Sequence, residues 1–171
     1  MASAGSSPDG QHYVLFDGFI HVAGTRNWRN NNPGNIEAGS FAAAQGAIGS
    51  DGRFAIFPDM PTGRKALSTL LTSGSYINLS IEHAMIRYAP PSENDTNAYT
   101  SFISTKVGVD PSTLMSALSA DQLALFVDAI YHYEGGIPGT IIQAGSEGAP
   151  EWALNLFEGA IPGAPSPAVT A

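Results

Sequence analysis

Between Arg29 and Glu37 the chain reads Arg29-Asn30-Asn31-Asn32-Pro33-Gly34-Asn35-Ile36-Glu37, crowding amide side chains around a bend that Pro33-Gly34 forces. An amide both donates and accepts hydrogen bonds without carrying charge, which suits the hydroxyl and N-acetyl groups of a sugar. Trp28 stands close by with an indole face fit to lie against the apolar side of a sugar ring. The same amides can instead close hydrogen bonds with the backbone of the bend itself. The residue chemistry allows both uses. The functional expectation is a carbohydrate cleft lined by Trp28, Asn31, Asn32 and Asn35.

Two carboxyl groups could work in such a cleft. Glu37 follows Ile36 in a segment with almost no other charge, so it is a candidate for the desolvated acid that protonates a glycosidic oxygen. Its plain alternative is an exposed loop glutamate. Glu134 ends an apolar helical run, after Tyr131-His132-Tyr133 and before Gly135-Gly136. A carboxylate there meets the negative end of the helix dipole and calls for a partner. That partner could be Arg26, Arg29 or Arg87, which would make Glu134 structural. Asp95 and Tyr131 complete the candidate substrate contacts, although Asp95 has the place of a helix cap and Asp51 that of a turn residue.

Other chemistries are weakly signalled. His12, His21, His83 and His132 lack metal-ligand spacing, so no metal is expected. No Gly-x-Ser-x-Gly elbow and no phosphate-binding glycine loop occur, and no cofactor is implied. The chain has no cysteine, which excludes thiol nucleophiles and disulfides.

The elements that must position these groups can be read in outline. The first ten residues are small and polar and suggest a loose arm. His12–Phe16 and Phe19–Ala23 flank Asp17-Gly18, the pattern of a β-hairpin with a type I′ turn. Residues 25–52 read as one long loop, packed through Trp28, Ile36 and Phe41. Arg53–Phe57 suggests a short strand. Helices follow, with Leu67, Leu70 and Leu71 on one face, a start at Ser80, another at Ser92 and Asp95, and a capping box at Ser119–Gln122. A last helix is expected near 150–158. The outcome is a mostly helical α+β chain with a small N-terminal β-hairpin. Its divisions are an arm and hairpin over 1–24, the main domain over 25–159, and a Pro/Gly/Ala tail over 160–171.

The 171 residues fit one domain, and 43% hydrophobic positions are enough for a core. Fifteen acids against seven bases leave a net charge of −8, so nucleic acid is not an expected partner. No run approaches a membrane span, and the first residues lack the features of a secretory signal.

Three segments carry a resemblance: Arg29–Ile36, Gly46–Pro58 (Gly-Ala-Ile-Gly-Ser-Asp-Gly-Arg-Phe-Ala-Ile-Phe-Pro) and Arg87–Thr96 (Arg-Tyr-Ala-Pro-Pro-Ser-Glu-Asn-Asp-Thr). Over roughly residues 25–135 the chain resembles phage virion-associated and bacterial peptidoglycan-degrading proteins that look lysozyme-like or lytic-transglycosylase-like. The resemblance implies a lysozyme-like domain and a catalytic glutamate ahead of a Gly-Ala-x-Gly segment. By that match Glu37, ahead of Gly46-Ala47-Ile48-Gly49, is the acid/base, and Glu134 either supports the site from behind or is a second carboxylate. The family pattern places its glutamate at the end of a helix with Ser next. Here Pro33-Gly34 precedes Glu37 and Ala38 follows.

The resulting expectation is a peptidoglycan glycosidase or lytic transglycosylase of a phage virion or injection machine. Its partners would be glycan strands, and other virion proteins through the hairpin. It would reside in the virion or be delivered to the periplasm. Two alternatives stand beside it: a non-catalytic virion structural or wall-binding protein, and an amidase or endopeptidase acting on the stem peptide.

Overall fold

The computed structural model describes residues 1–159, and the expected tail over 160–171 lies outside them. The Asp17-Gly18 bend does join two antiparallel strands, β2 (His12–Leu15) and β3 (Phe19–Val22). Only Gly18 has a positive φ, so the bend is not type I′, which needs two such residues in succession.

The hairpin does not stand alone. Ser3–Ser6 pairs with β2 as β1, so the presumed loose arm is an ordered edge strand. Thr140–Gln143, here β6, pairs with β3 from the far end of the chain. The antiparallel order is β1-β2-β3-β6, and its last pairing crosses the expected division at residue 24. A fourfold ladder gives each inner strand partners on both sides, which an isolated hairpin lacks. Ile20 and Val22 on one face pack against Ala153 of a C-terminal helix, Glu151–Gly159. Tyr13 stacks on Trp152 of the same helix at 5.5 Å. The opposite face turns Val14 and Phe16 toward Ile56.

The stretch 25–52 is not one loop. Short helices α1 (Arg26–Arg29) and α2 (Ser40–Ala44) cut it, and Gly49–Ser50 (β4) pairs with Ala55–Ile56 (β5). His21 of the sheet stacks on Trp28 of α1 at 4.3 Å, which joins the two regions. Burial pushes the His21 imidazole below its ordinary pKa, and its Nδ1 meets the Arg29 carbonyl at 3.2 Å.

Four longer helices enclose the main core: α3 (Met60–Leu71), α4 (Ile81–Tyr88), α5 (Thr96–Val107) and α6 (Ala120–Tyr133). Leu67, Leu71, Ile81, Met85, Ile103, Phe126 and Ile130 are fully buried between them. Their starts are set locally. Asp59 caps α3, Ser80 caps α4, and Asp95 rather than Ser92 caps α5 by accepting from the Ala98 amide. Ser119 and Gln122 form the reciprocal box on α6. The C-terminal helix, α7, covers Glu151–Gly159 as anticipated. The architecture is therefore α+β with seven helices and small antiparallel sheets among the described residues.

Ser119→Ala removes the acceptor for the Gln122 amide at 3.1 Å. It is expected to cost about 1 kcal/mol in a urea unfolding experiment, and an unchanged midpoint would show that the box contributes nothing.

Candidate active site

The asparagines do not act as one set. Asn32 is fully buried, and its Nδ2 donates to the carbonyls of Ile36 and Ala55 at 2.9 Å each while its Oδ1 accepts from the Ile36 amide. Asn31 donates to the Phe57 carbonyl, Asn30 to Asp51, and Asn27 to the carbonyl of Tyr131. These amides knit the bend to β5 and to α6. Helix α3 closes over the knot, and a Cβ at Gly63 would overlap the Asn31 carbonyl oxygen.

One amide escapes this scheme. Asn35 takes a left-handed backbone (φ 48°), a conformation asparagine tolerates. Its Nδ2 then donates to Oε2 of Glu134 at 3.2 Å, across 99 residues of sequence. Oε1 of Glu134 accepts from the Tyr99 hydroxyl at 2.9 Å. Glu134 follows the last turn of α6, where the helix dipole disfavours negative charge, and these two donors meet that charge. Gly135 (φ 107°) lets the chain turn away immediately after it.

Two tyrosines build the wall behind the carboxylate. The Tyr99 ring stacks on Tyr133 at 3.8 Å and meets Tyr88 edge-on at 6.4 Å. The Tyr88 hydroxyl donates to the Gly34 carbonyl, and a side chain at Gly34 would strike that hydroxyl. Burial, with the neighbouring Glu134 charge adding to it, pushes both phenols well above their ordinary range. Each is therefore held neutral, as a fixed donor.

Glu134, Asn35 and Tyr88 open on a groove of about 610 Å³. The end of the bend contributes Glu37 and the residues just before β5 contribute Arg53 and Phe54; the end of α4 and the loop after it contribute Arg87, Pro90, Glu93 and Asn94. The two donors use only part of the acceptor capacity of the Glu134 carboxyl. Such a group can hand a proton to a ligand in the groove and take one back.

The sequence candidates are thus dispersed. Glu37 lines the groove mouth, but its side chain is 67% exposed and lies 3.0 Å from the 64% exposed Arg53. The expectation of a carboxyl shielded from water fails there, because Glu37 bridges to Phe54 in extended chain at the edge of the fold. Trp28 is spent on His21 and does not line the groove. Asn31 and Asn32 are internal, Asp95 is an exposed helix cap, and Tyr131 lies under the Arg64 guanidinium at 5.5 Å. The structure brings Asn35, Glu37 and Glu134 to one groove and leaves the other candidates outside it. The ion pair considered for Glu134 is absent among the described residues. Arg26 pairs with Asp51, Arg29 donates to Ala23 and Gly24, and Arg87 lies over Tyr76. Tyr99 and Tyr88 escaped the sequence reading as functional residues. The Arg87–Thr96 segment was the signal for Tyr88, which it holds and which lines the groove, and Tyr99 lies beyond it.

Asp51 shows what the bend needs electrostatically. Partial burial pushes its carboxyl up, but hydrogen bonds from Asn30 and from the Phe54 and Arg53 amides, with Arg26 at 3.3 Å, outweigh this and hold it below the ordinary value. A carboxyl lowered in the folded state stabilises above its unfolded pKa of about 4 and loses that contribution as pH falls through the folded value. The stability gap between the natural chain and Asp51→Asn is expected to shrink from pH 6 to pH 3 in urea titrations. An equal gap at both pH values would contradict the ion cluster.

Among the described residues, no group of three His, Asp or Glu is placed to hold a metal ion, and no helix is long and apolar enough to cross a membrane.

Against known proteins, the chain is similar to a phage protein. It is 37% identical over 90 residues to Protein P5 of Pseudoalteromonas phage PM2, a stretch covering 49% of this chain and 56% of that protein. The chain thus spans little more than half the length of that relative. No protein-family model matches it.

Proposed function

We propose that this chain cleaves the glycan strands of peptidoglycan, as a glycosidase or lytic transglycosylase with a lysozyme-like domain, in the service of a phage particle or injection machine. The carrying observation is the carboxyl of Glu134, held by Tyr99 and Asn35 in an open groove. The resemblance to peptidoglycan-degrading proteins supports the substrate class. Of its pattern Glu134 meets the place at a helix end, with Gly135 where Ser is asked for, and Glu37 meets the place ahead of Gly46-Ala47-Ile48-Gly49. Similarity to a phage protein supports the setting. In this reading the protein acts from the virion or in the periplasm, with the N-terminal sheet meeting other virion proteins.

Glu134 in its acid form donates its proton to the glycosidic oxygen as the C1–O bond breaks, and the bonding pair leaves with that oxygen. The sugar becomes oxocarbenium-like, stabilised by its own N-acetyl group or a second polar group. The Glu134 carboxylate then removes a proton from the attacking hydroxyl. Water as attacker gives hydrolysis, and the sugar's own 6-hydroxyl gives an anhydro end. Tyr99 and Asn35 keep the carboxyl in position through both steps. Glu37 and Arg53, paired at the mouth, contact the flanks of the strand.

Incubation of the purified chain with isolated murein tests this. Soluble muropeptides are expected, and mass spectra of their ends separate hydrolysis from transglycosylation. Cleavage within the stem peptide would replace this reading with an amidase or endopeptidase. Pelleting without release would leave a non-catalytic wall-binding protein, and neither pelleting nor release a virion structural protein, the reading that the net charge of −8 favours because anionic wall polymers repel it.

A further inference from the structure

The groove contains one cation without an anionic partner. Arg53 is paired with Glu37, whereas Arg87, exposed near the end of α4, makes no ion pair and no hydrogen bond among the described residues. Its guanidinium lies over the ring of Tyr76, 5.7 Å from the centroid, and both residues line the groove. Tyr76 is itself buried against the main core, so the shelf under Arg87 is fixed. An aromatic shelf restrains the long side chain and leaves its fork of N–H donors open. Such a fork matches a carboxylate in two parallel hydrogen bonds. The other charges of the groove, Glu93 and Glu134, are acidic, so an anion has no other unpaired cation to meet there.

Resting on the glycan reading above, we propose that Arg87 makes the groove selective for strands whose amino sugars carry a free carboxylate, where no stem peptide is joined to it, over neutral strands, by gripping that carboxylate while Glu134 faces the bond to be cut. Arg87 is a specificity-determining residue in this scheme and takes no part in proton transfer. Neutral strands of N-acetylglucosamine fit the same groove but leave the guanidinium without its counter-ion.

The test compares a tetrasaccharide of alternating N-acetylglucosamine and N-acetylmuramic acid with chitotetraose, titrated calorimetrically into the full chain. The acidic sugar is expected to bind about tenfold more tightly, in the range of one charge-assisted pair. In Arg87→Gln that margin disappears while chitotetraose affinity and thermal melting stay unchanged, and Arg87→Lys keeps part of it. The margin should also narrow as salt is raised. Equal affinities in the natural chain, or a full margin in Arg87→Gln, would overturn the assignment. If murein is cut but the margin is absent, only the role of Arg87 falls. If neither sugar binds and murein is not cut, the glycan reading falls with it.

Discussion

Glu134→Gln is expected to lower kcat on murein by about 100- to 10,000-fold, the usual loss when a positioned general acid is removed. Its fold should survive. Gln keeps an acceptor for the Tyr99 hydroxyl, and its new amide group meets Asn35, whose buried Oδ1 has no partner among the described residues and can turn to accept from it. Loss of activity therefore reports on chemistry and not on collapse, which circular dichroism and thermal melting would check. Glu37→Gln, by contrast, breaks an exposed ion pair and should retain activity within about tenfold, with stability changed by less than about 1 kcal/mol. The reverse pattern, an inactive Glu37→Gln and an active Glu134→Gln, would move the acid to the groove mouth.

Asn32→Ala carries the largest expected effect on stability. The change leaves the Ile36 amide and the Ala55 carbonyl without a partner in the interior, where water cannot replace it, while the Ile36 carbonyl keeps its bond from the Ala55 amide. Unpaired buried groups cost about 1–3 kcal/mol each, so a total of about 2–5 kcal/mol is expected from denaturant unfolding. Asn97→Ala on the exposed side of α5 should stay within about 0.5 kcal/mol. If the two substitutions were equally mild, the amide knot would not be what holds the bend. Because Asn35 is placed by this bend, a partly folded Asn32→Ala should also lose catalysis in proportion to its unfolded fraction.

What the sequence made legible was chiefly local. Ser80, the Ser119–Gln122 box and Gly135-Gly136 each act within a few residues of themselves, and helices start and stop where these say. The Asp17-Gly18 bend was legible as a hairpin for the same reason, though not in its turn type. Strands β1 and β6 were not legible. Ser3–Ser6 has no apolar alternation, and Thr140–Gln143 becomes a strand by pairing with β3 from the opposite end of the chain. The asparagines show the limit most clearly. Asn31, Asn32 and Asn35 are chemically identical, and Asn31 shares the left-handed backbone of Asn35, so only the place of Asn35 beside the end of α6 brings its amide to Glu134. The Tyr99–Glu134 contact spans 35 residues and leaves no spacing signal. The span from Glu37 to Gly46 pointed at the wrong place for a shielded carboxyl, since distance along the chain does not report burial.

A crystal structure of Glu134→Gln soaked with a murein tetrasaccharide addresses the central claim most directly. The expected result is a sugar chain lying along the groove with one glycosidic oxygen about 2.6–3.2 Å from the residue 134 side chain. Sugar bound elsewhere on the surface, with that side chain facing only solvent, would contradict it.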